Sequence, residues 1–538
     1  MHPRDPRRLE SGQFDVAVIG GGIYGLALAY EAASRGLATA LVDAADFGGG
    51  VSFNHQKTAH GGLRSLQTGR LDHARESILE RRALARMAPR LVRPLPFVVG
   101  TYRSLTRNRP ALRAAFLIDQ LVGVDRNAGV LPELRLPSAR LLSRRSTLDL
   151  FPGIDTRDLT GGALWYDYQM RENDRLTLAF AAGADRAGAV LANYVSATGV
   201  IRRQQRIAGI TATDRLSGRR LEIRASVTIN AAGPYAGEVM GLFGVHRPFP
   251  LIRVMSLMTS KAAHEHALAA TTKSGKMLTL VPWRGCALVG TSHSDKLVNP
   301  ADGDAGAVEI DHFIGEANEA FPALRLTRGS VTLVHRGLVP ARMAGDAPNL
   351  KPSHEILDHA TDGAPGALTI VSVKYTTARG VAKRVIDRAG LLLGRQLRPS
   401  ISDTTVLPGA GVGDHEAPLV EAARRHGIVV AQTVIRRLAT LYGDLAPIPV
   451  AMMASQPGAA QPLDPSDSIT GAEIIHAIRN EMAVRLTDIV MRRLTLSMAH
   501  PGDQLVGACA RIAAAELGWT DTEMSEQIVE LDRAYQVP

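Results

Sequence analysis

The 538-residue chain predicts an α/β architecture: a Rossmann-type nucleotide-binding domain, a second domain built on a mixed or antiparallel sheet, and an all-α C-terminal domain. Three observations carry that prediction. The apolar strand Phe14 to Ile19 runs into Gly20-x-Gly22-x-x-Gly25 and an Ala-rich helix. Strands dominate from Pro250 to about Val334, and everything beyond the linker Leu407-Pro408-Gly409-Ala410-Gly411 reads as helical. A chain of this length exceeds what one core serves, so two or three domains are expected.

The first βα unit is a dinucleotide-binding fingerprint. Gly20 permits the tight turn, Gly22 lets the backbone approach a pyrophosphate, and Gly25 lets helix and strand pack closely. The helix start offers unpaired N–H groups and a positive dipole end to the anion. A second apolar strand, Ala38 to Val42, ends in Asp43, where a ribose-binding acid belongs. A loop of Gly and small polar residues, Gly48 to Gly62, precedes a helix from about Asp72 to Met87. Pro89, Pro94 and Pro96 end that helix and begin extended structure at Phe97-Val98-Val99. Residues 100 to 160 are Arg-rich and helical or irregular.

Gly162 to Tyr166 then reads as a strand, and Asp174 opens a helix over Arg175 to Ala187 before the strand Ala189-Val190-Leu191. Ile201 to Ile223 alternates as a hairpin with Ser217-Gly218 at its turn. The buried strand Ser226 to Asn230 ends in Ala231-Ala232-Gly233-Pro234. A fingerprint early in the chain and a later strand ending in small residues is the layout of a flavin-binding Rossmann domain, where the ring system lies close to the backbone. In the second sheet the strands are Ile252 to Met258, Met277 to Val281, Cys286 to Gly290 and Ser330 to Val334. Leu368 to Val373 and Lys374-Tyr375-Thr376-Thr377 return the chain to the first domain as a strand running into the helix Ala378 to Leu393. Within the C-terminal helices, a first stop falls at Gly443, Gln456 to Pro465 is a Pro-rich loop, and Thr520 to Glu523 is a capping box. Ile474 to Val490 carries apolar residues at helical spacing, interrupted near Thr487-Asp488.

Composition limits the function classes. Hydrophobic content of 45% with 21% charged residues is ordinary for a globular protein. The net charge of +10 favours anionic substrates or an anionic surface, but it is dispersed and lacks interleaved aromatics, which argues against nucleic acid. Two distant cysteines, Cys286 and Cys509, make neither a disulfide framework nor a metal pattern and fit a reducing, cytoplasmic setting. Met1 to Glu10 does not read as a secretory signal, and no segment reads as a transmembrane helix. Peripheral attachment through a basic or amphipathic face, on the inner side of a membrane, stays open.

The chain resembles the FAD-dependent glycerol-3-phosphate dehydrogenases within the D-amino-acid-oxidase-like flavoproteins. The resemblance rests on Gly20 to Gly25, His60-Gly61-Gly62-Leu63-Arg64, Met87-Ala88-Pro89, Asn230 to Pro234, Lys374 to Thr377 and Val406 to Gly409. Glu481 to Val484 and Asp488 to Arg493 extend it into the tail, the most restrictive portion of the match. It implies a non-covalent FAD-dependent oxidoreductase region over 12–405, with cofactor parts at about 12–96, 160–245 and 345–405. Substrate parts fall at about 97–159 and 246–344, and the helical domain covers 408–538. Gly20, Gly22, Ile23, Tyr24, Gly25 and Asp43 go to the ADP half of FAD. Ser52, Lys57, His60, Gly61 and Gly62 lie around the flavin, and Gly233, Lys374, Tyr375 and Thr376 close the other side.

The resemblance further implies that C2 of glycerol 3-phosphate gives hydride to the flavin N5, yielding dihydroxyacetone phosphate, with electrons passed to a quinone or another acceptor. Arg64 and Lys374 sit where the family places cations for the substrate oxygen and phosphate. The resemblance sets Ser65, Leu257 and Val339 where the family carries a tyrosine, a pocket histidine and a substrate arginine; Arg336 and Arg342 are candidate replacements for that arginine, and His293 and His335 for a proton acceptor. An oxidase, a dehydrogenase of another hydroxy acid or amine, and a catalytically lapsed flavin-binding partner remain alternatives. A nicotinamide-dependent enzyme gives the His-Gly-Gly-Leu-Arg loop no role. The helical tail reads as packing against the cofactor domain, a homodimer contact or a partner surface.

Overall fold

The computed structural model describes residues 1–62, 69–104, 108–263, 265–300, 306–345, 347–466 and 468–538. Two sheets and a set of C-terminal helices make up the protein. The first sheet runs in the order Glu355–Asp358, Ala367–Val371, Arg220–Asn230, Gln13–Ile19, Thr39–Val42, Val190–Ala192. Gln13–Ile19 is parallel to both Arg220–Asn230 and Thr39–Val42. The chain leaves this central strand to one side and returns later on the other. That reversal opens a crevice at the carboxyl ends of the strands, the standard ligand position in such sheets.

Central strands buried on both faces read as unbroken apolar runs, and Val16 to Ile19 are buried accordingly. Helix Ile23–Ser34 covers one face together with Asn173–Arg186 and Ala378–Leu392, and Leu26, Leu28, Phe180, Val381 and Val385 share that core. On the other face lies the hairpin Val195–Arg203 and Arg206–Asp214, which continues into the first half of Arg220–Asn230 and packs Ile210 and Ala212 with Ala17, Ile19 and Val42. Here the single hairpin read over Ile201 to Ile223 becomes two, with Gln204 at positive φ in the first turn and Gly218 in the second. Ile223 and Asn230 belong to one strand. Its burial alternates over Arg220–Ala225 and is almost continuous from Val227, because the strand passes from the sheet's margin to beneath the helices.

The second sheet runs Ala347–Leu350, Val331–Ala344, Leu251–Ala262, Cys286–His293, Met277–Trp283, Ala267–Thr271, Val92–Tyr102, Leu159–Met170, Thr58–Ala59. Leu159–Met170 thus belongs to this sheet rather than to the cofactor region expected to begin near 160. Pro94 and Pro96 lie inside Val92–Tyr102. They precede Phe97, where the strand gains its neighbour Ala267–Thr271, so they occupy a one-sided stretch in which a missing N–H costs no ladder bond. Beneath the sheet, helix Ala307–Ala320 packs Ile310, Phe313 and Ala317 onto Met255, Leu257 and Val289.

The tail is helical, as expected, from Glu416–Arg425 to Asp521–Tyr535. Helix Gln432–Tyr442 ends at Gly443, at positive φ. Thr520 Oγ1 accepts from the Glu523 N–H at 3.2 Å while Thr520 N–H donates to the Glu523 carboxylate at 2.8 Å, the reciprocal box read from sequence. Helix Gly471–Glu481 stops at left-handed Met482, and a wide turn, Asp488–Arg493, follows where the periodicity broke. Among the described residues no helix is long and apolar enough to cross a membrane.

Candidate active site

The crevice is built by backbone that tolerates no side chain. Gly20 has φ +108°, and a Cβ there would lie 2.6 Å from the Ala231 carbonyl oxygen. At Gly25 a Cβ would fall 1.7 Å from the Gly20 carbonyl oxygen, so this glycine sets the distance between helix and strand. Gly22 caps helix Ile23–Ser34 without a side-chain bond. Ser52, expected around the flavin, instead accepts through Oγ from the Ile23 N–H at 2.9 Å and stands at the rim of the fingerprint helix's positive end, on the pyrophosphate side. A helix start, a bare glycine turn and a hydroxyl at the rim fit a pyrophosphate.

Asp43, just past Thr39–Val42, accepts from the Gly21 N–H at 2.5 Å and the Ala45 N–H at 2.7 Å. Burial raises its carboxyl to about 6 against these two donors. Gly233, at the end of Arg220–Asn230, has φ +58° and faces open space. The residues read as the ADP side are therefore gathered around one turn.

Opposite them lies the turn that follows Ala367–Val371. The Tyr24 hydroxyl donates to the Lys374 carbonyl at 2.6 Å and lies 3.2 Å from Thr377 Oγ1 and against Ser372 Oγ. Burial, against these bonds, pushes the phenol up to about 12. Thr376 Oγ1 accepts from the His60 N–H at 3.2 Å, which joins this turn to the His60-Gly61-Gly62 segment. The His60 ring lies 3.2 Å from Asp167, whose other oxygen accepts from the Gly61 N–H at 2.7 Å and from Arg81. Burial would raise the Asp167 carboxyl, but His60, Arg81 and Gly61 overcome it and hold it at about 2. Gly61 itself has no room for a Cβ, which would meet Arg81 Nη1 at 2.2 Å. Arg64 and Ser65 lie outside the described residues.

Two residues assigned to the flavin surroundings turn inward instead. Lys57 is fully buried: its Nζ donates to the Phe53 carbonyl and lies 4.8 Å from the Phe53 ring centre and 5.5 Å from that of Trp283. Burial, partly offset by Asp174, lowers this ammonium to about 8. The Tyr375 hydroxyl bonds Thr177 Oγ1 at 2.9 Å, with its ring 4.9 Å from that of His55.

Strand pairing sorts the remaining candidates by face. Val254, Val339, Ile252 and Ala341 pack with Val51 and Val373, on the side turned to the cofactor loops. His293 pairs with Val254, and His335 with Ser256, so both lie on that side. The His335 ring packs on Phe53 at 5.3 Å, and its Nδ1 is 3.3 Å from Asn54 Oδ1. Desolvation, reinforced by Lys57 and His55, keeps it neutral. Arg336 pairs with Met255, a member of the cluster under Ala307–Ala320, and Arg342 is an exposed residue further along in the same phase. Alternation sets both arginines on the face away from Val339. Leu257, read as replacing a pocket histidine, is fully buried in the cluster under Ala307–Ala320, so the strand turns Ser256 rather than Leu257 to the cofactor side.

Sequence reading passed over the Asp167–Arg81 pair that anchors His60 and Gly61. Its only signal was an acid inside an otherwise buried strand. Tyr24 belongs to the fingerprint turn by its backbone, yet its hydroxyl is what positions Lys374. A cavity of about 210 Å³ between Asn173–Arg186 and the tail, lined by Arg175, Leu441, His476 and Glu481, contains none of the predicted residues.

Taken together, a bare glycine turn, a helix start with Ser52, and a facing Lys374–Thr376 turn define a flavin-dependent oxidoreductase of the two-sheet type. Comparison with known proteins agrees. Residues 15–388 match the FAD dependent oxidoreductase family, and 400–524 match the C-terminal domain of alpha-glycerophosphate oxidase. Glycerol-3-phosphate dehydrogenase of Synechocystis sp. is 30% identical over 97% of this chain and 96% of its own length. Glycerol-3-phosphate dehydrogenase 2 of Mycobacterium tuberculosis is 31% identical over 97% and 88%. The FAD complex of glycerol-3-phosphate dehydrogenase from Bacillus halodurans shares the fold with a TM-score of 0.74 at 24% identity, covering 99% of this chain and 98% of that one. The chain belongs to the FAD-dependent oxidoreductase family, in its glycerol-3-phosphate dehydrogenase branch. It is an FAD enzyme for a CH–OH donor.

Proposed function

We propose that the protein oxidises glycerol 3-phosphate, or a closely related anionic polyol, and passes the electrons to a quinone or similar acceptor at a membrane surface. The observation that carries this reading is the Lys374–Thr376 turn, pinned by Tyr24 and joined through Thr376 to the segment that leads into Arg64. Its near full-length relatives carry the dehydrogenase name. FAD, when bound, supplies the hydride acceptor. Lys374 and Arg64 are the cations assigned to the alcohol oxygen and the phosphate, where negative charge develops during the reaction. Asp167 and Arg81 fix His60 and Gly61, and His293 faces the same side as a substrate-binding group.

Attachment to a membrane is supported by helix Arg109–Val122. Leu112 and Phe116 are buried, while Leu117, Ile118, Leu121 and the following Val124 are 55, 42, 77 and 85% exposed. Exposed Arg103, Arg113, Arg135, Arg140, Arg144 and Arg145 belong to the same stretch of the chain. An apolar stripe with basic residues is the composition of a helix that lies in an anionic interface.

The test is an anaerobic donor screen. Glycerol 3-phosphate should bleach the flavin absorbance, while glycerol, lactate and amino acids should not. Bleaching by lactate or an amino acid alone would refute the phosphate reading. That second reading, a smaller hydroxy acid or amine, has Val339 in its favour: the pocket side carries a valine packed on Val51 and Val373 rather than an arginine. Reduction by no donor would leave a flavin-binding partner that has lost catalysis.

A further inference from the structure

The link between the helical tail and the cofactor loop goes beyond domain packing. Asp46 lies in the segment that connects Thr39–Val42 to Ser52, and its carboxylate is 1% exposed. Arg493, fully buried, donates Nη2 to Asp46 Oδ1 at 2.8 Å and Nη1 to Oδ2. Arg492 donates Nε to Oδ2 at 2.6 Å, and Asn193 Nδ2 lies 3.1 Å from Oδ1. The second Arg492 arm reaches Asp488 at 2.5 Å, and Tyr194 donates to both Asp488 oxygens at 2.9 and 3.0 Å. Arg493 also donates to the Glu481 carbonyl at 2.7 Å. Two carboxylates and two guanidiniums balance in charge and bond one another, with Arg493 Nε buried and unpartnered; charge balance and mutual bonding offset the cost of burying such a group.

What this group holds matters more than what it weighs. Asp43 bonds the fingerprint turn at Gly21, the Gly48 N–H donates to the Gly21 carbonyl at 2.9 Å, and Ser52 meets the helix start. Between Asp46 and Ser52 the chain is Phe47-Gly48-Gly49-Gly50-Val51. Three consecutive glycines have more conformational freedom to lose than any other triplet and cannot fix their own course. The segment is fixed at one end by the helix start and at the other by the tail. A Cβ on Gly49 would lie 3.7 Å from the Arg492 guanidinium carbon, so the tail arginine also lies against the glycines. Asp43 feels the charges of Asp46 and Arg492 as well.

We propose that Arg492 and Arg493, acting through Asp46, are positioning residues of the cofactor site. They hold segment 43–53 so that Asp43 and Ser52 meet the ADP half of FAD, and the helical domain is thereby a wall of that site. The proposal rests on the FAD assignment and not on the identity of the donor.

It is tested on the full chain by titrating FAD, followed by flavin fluorescence, and ADP as its competitor. Arg492→Gln and Asp46→Asn should each weaken FAD and ADP together by about 10-fold, the scale of a coupling between two sites. Arg492→Lys, which keeps the charge, should recover most of the loss. Arg437→Gln removes a comparable ion pair with Glu473 inside the tail, whose nitrogen–oxygen distance is 3.1 Å. It should lower the melting temperature and leave both affinities within about twofold, well short of that coupling. Should Asp46→Asn not fold, the pair Arg492→Gln and Arg492→Lys carries the test, since Arg492 keeps 11% exposure at the rim. Unchanged FAD and ADP affinities with a lowered melting temperature would reduce the group to a domain fastener and overturn the proposal. Loss of FAD affinity with ADP unaffected would overturn it too.

Discussion

Two carboxylates and one lysine are the groups at which single substitutions test the proposed site. Lys374 has its backbone carbonyl bonded by Tyr24 and follows a buried strand, so its position is imposed rather than adopted. Lys374→Ala should slow anaerobic flavin reduction by about 10²-fold, the usual scale for removing a donor that stabilises developing negative charge. An unchanged rate would take the residue out of the mechanism. Asp43 gives a pH signature. Its carboxyl is raised to about 6, so the protonated form is favoured in the fold, and the stability it adds is present at low pH and lost as pH rises through about 6. Ribose hydroxyls bond the carboxylate better than the neutral acid. FAD affinity should therefore strengthen as pH rises through about 6, and Asp43→Asn should lose that step. Asp167 runs the other way: held at about 2, it contributes stability above the usual carboxylate range that disappears as pH falls through about 2. Asp167→Asn should flatten that acid limb in a melting-temperature series.

Elements show how a fold constrains residues that look alike in sequence. Gly25 and Gly241 both occupy helices, yet a Cβ would fall 1.7 Å from a carbonyl oxygen at the first and meet nothing within 4 Å at the second. Gly25→Ala should therefore abolish FAD retention. Gly241→Ala should stabilise the chain by about 0.5–1 kcal/mol through the unfolded state, and a melting curve separates the two. The same contrast explains what the sequence made legible. The glycine turn, the helix stop at Gly443 and the box at Thr520 are local devices whose residues specify their own geometry, and all three stand where they were read. Face assignment in the second sheet is not local. A one-residue shift of phase exchanges Ser256 for Leu257 and His335 for Arg336, and motif matching has no means of seeing which side the cofactor domain covers. Asp167 stayed hidden because its partner Arg81 comes from a helix 86 residues away.

At the scale of the whole molecule, charge and apolar surface act together. The net charge of +10 creates a field that gathers anions, but field alone gives binding that salt dissolves. The stripe Leu117, Ile118, Leu121 and Val124 supplies the second component, since buried apolar area does not respond to salt in that way. A surface held by both terms should bind anionic vesicles well, bind neutral vesicles weakly, and keep some of its affinity between low and moderate ionic strength. Leu117→Glu with Leu121→Glu removes two exposed leucines and sets two negative charges against the anionic lipid. Co-sedimentation with phosphatidylserine vesicles should then fall by at least roughly 10-fold, while anaerobic flavin reduction by the soluble donor stays as it was. That separation is the informative outcome: a helix that only packs against the second sheet would change folding or donor oxidation before it changed vesicle binding. Equal co-sedimentation of the double variant and the parent would remove this helix as the contact and leave the acceptor to be met on another face.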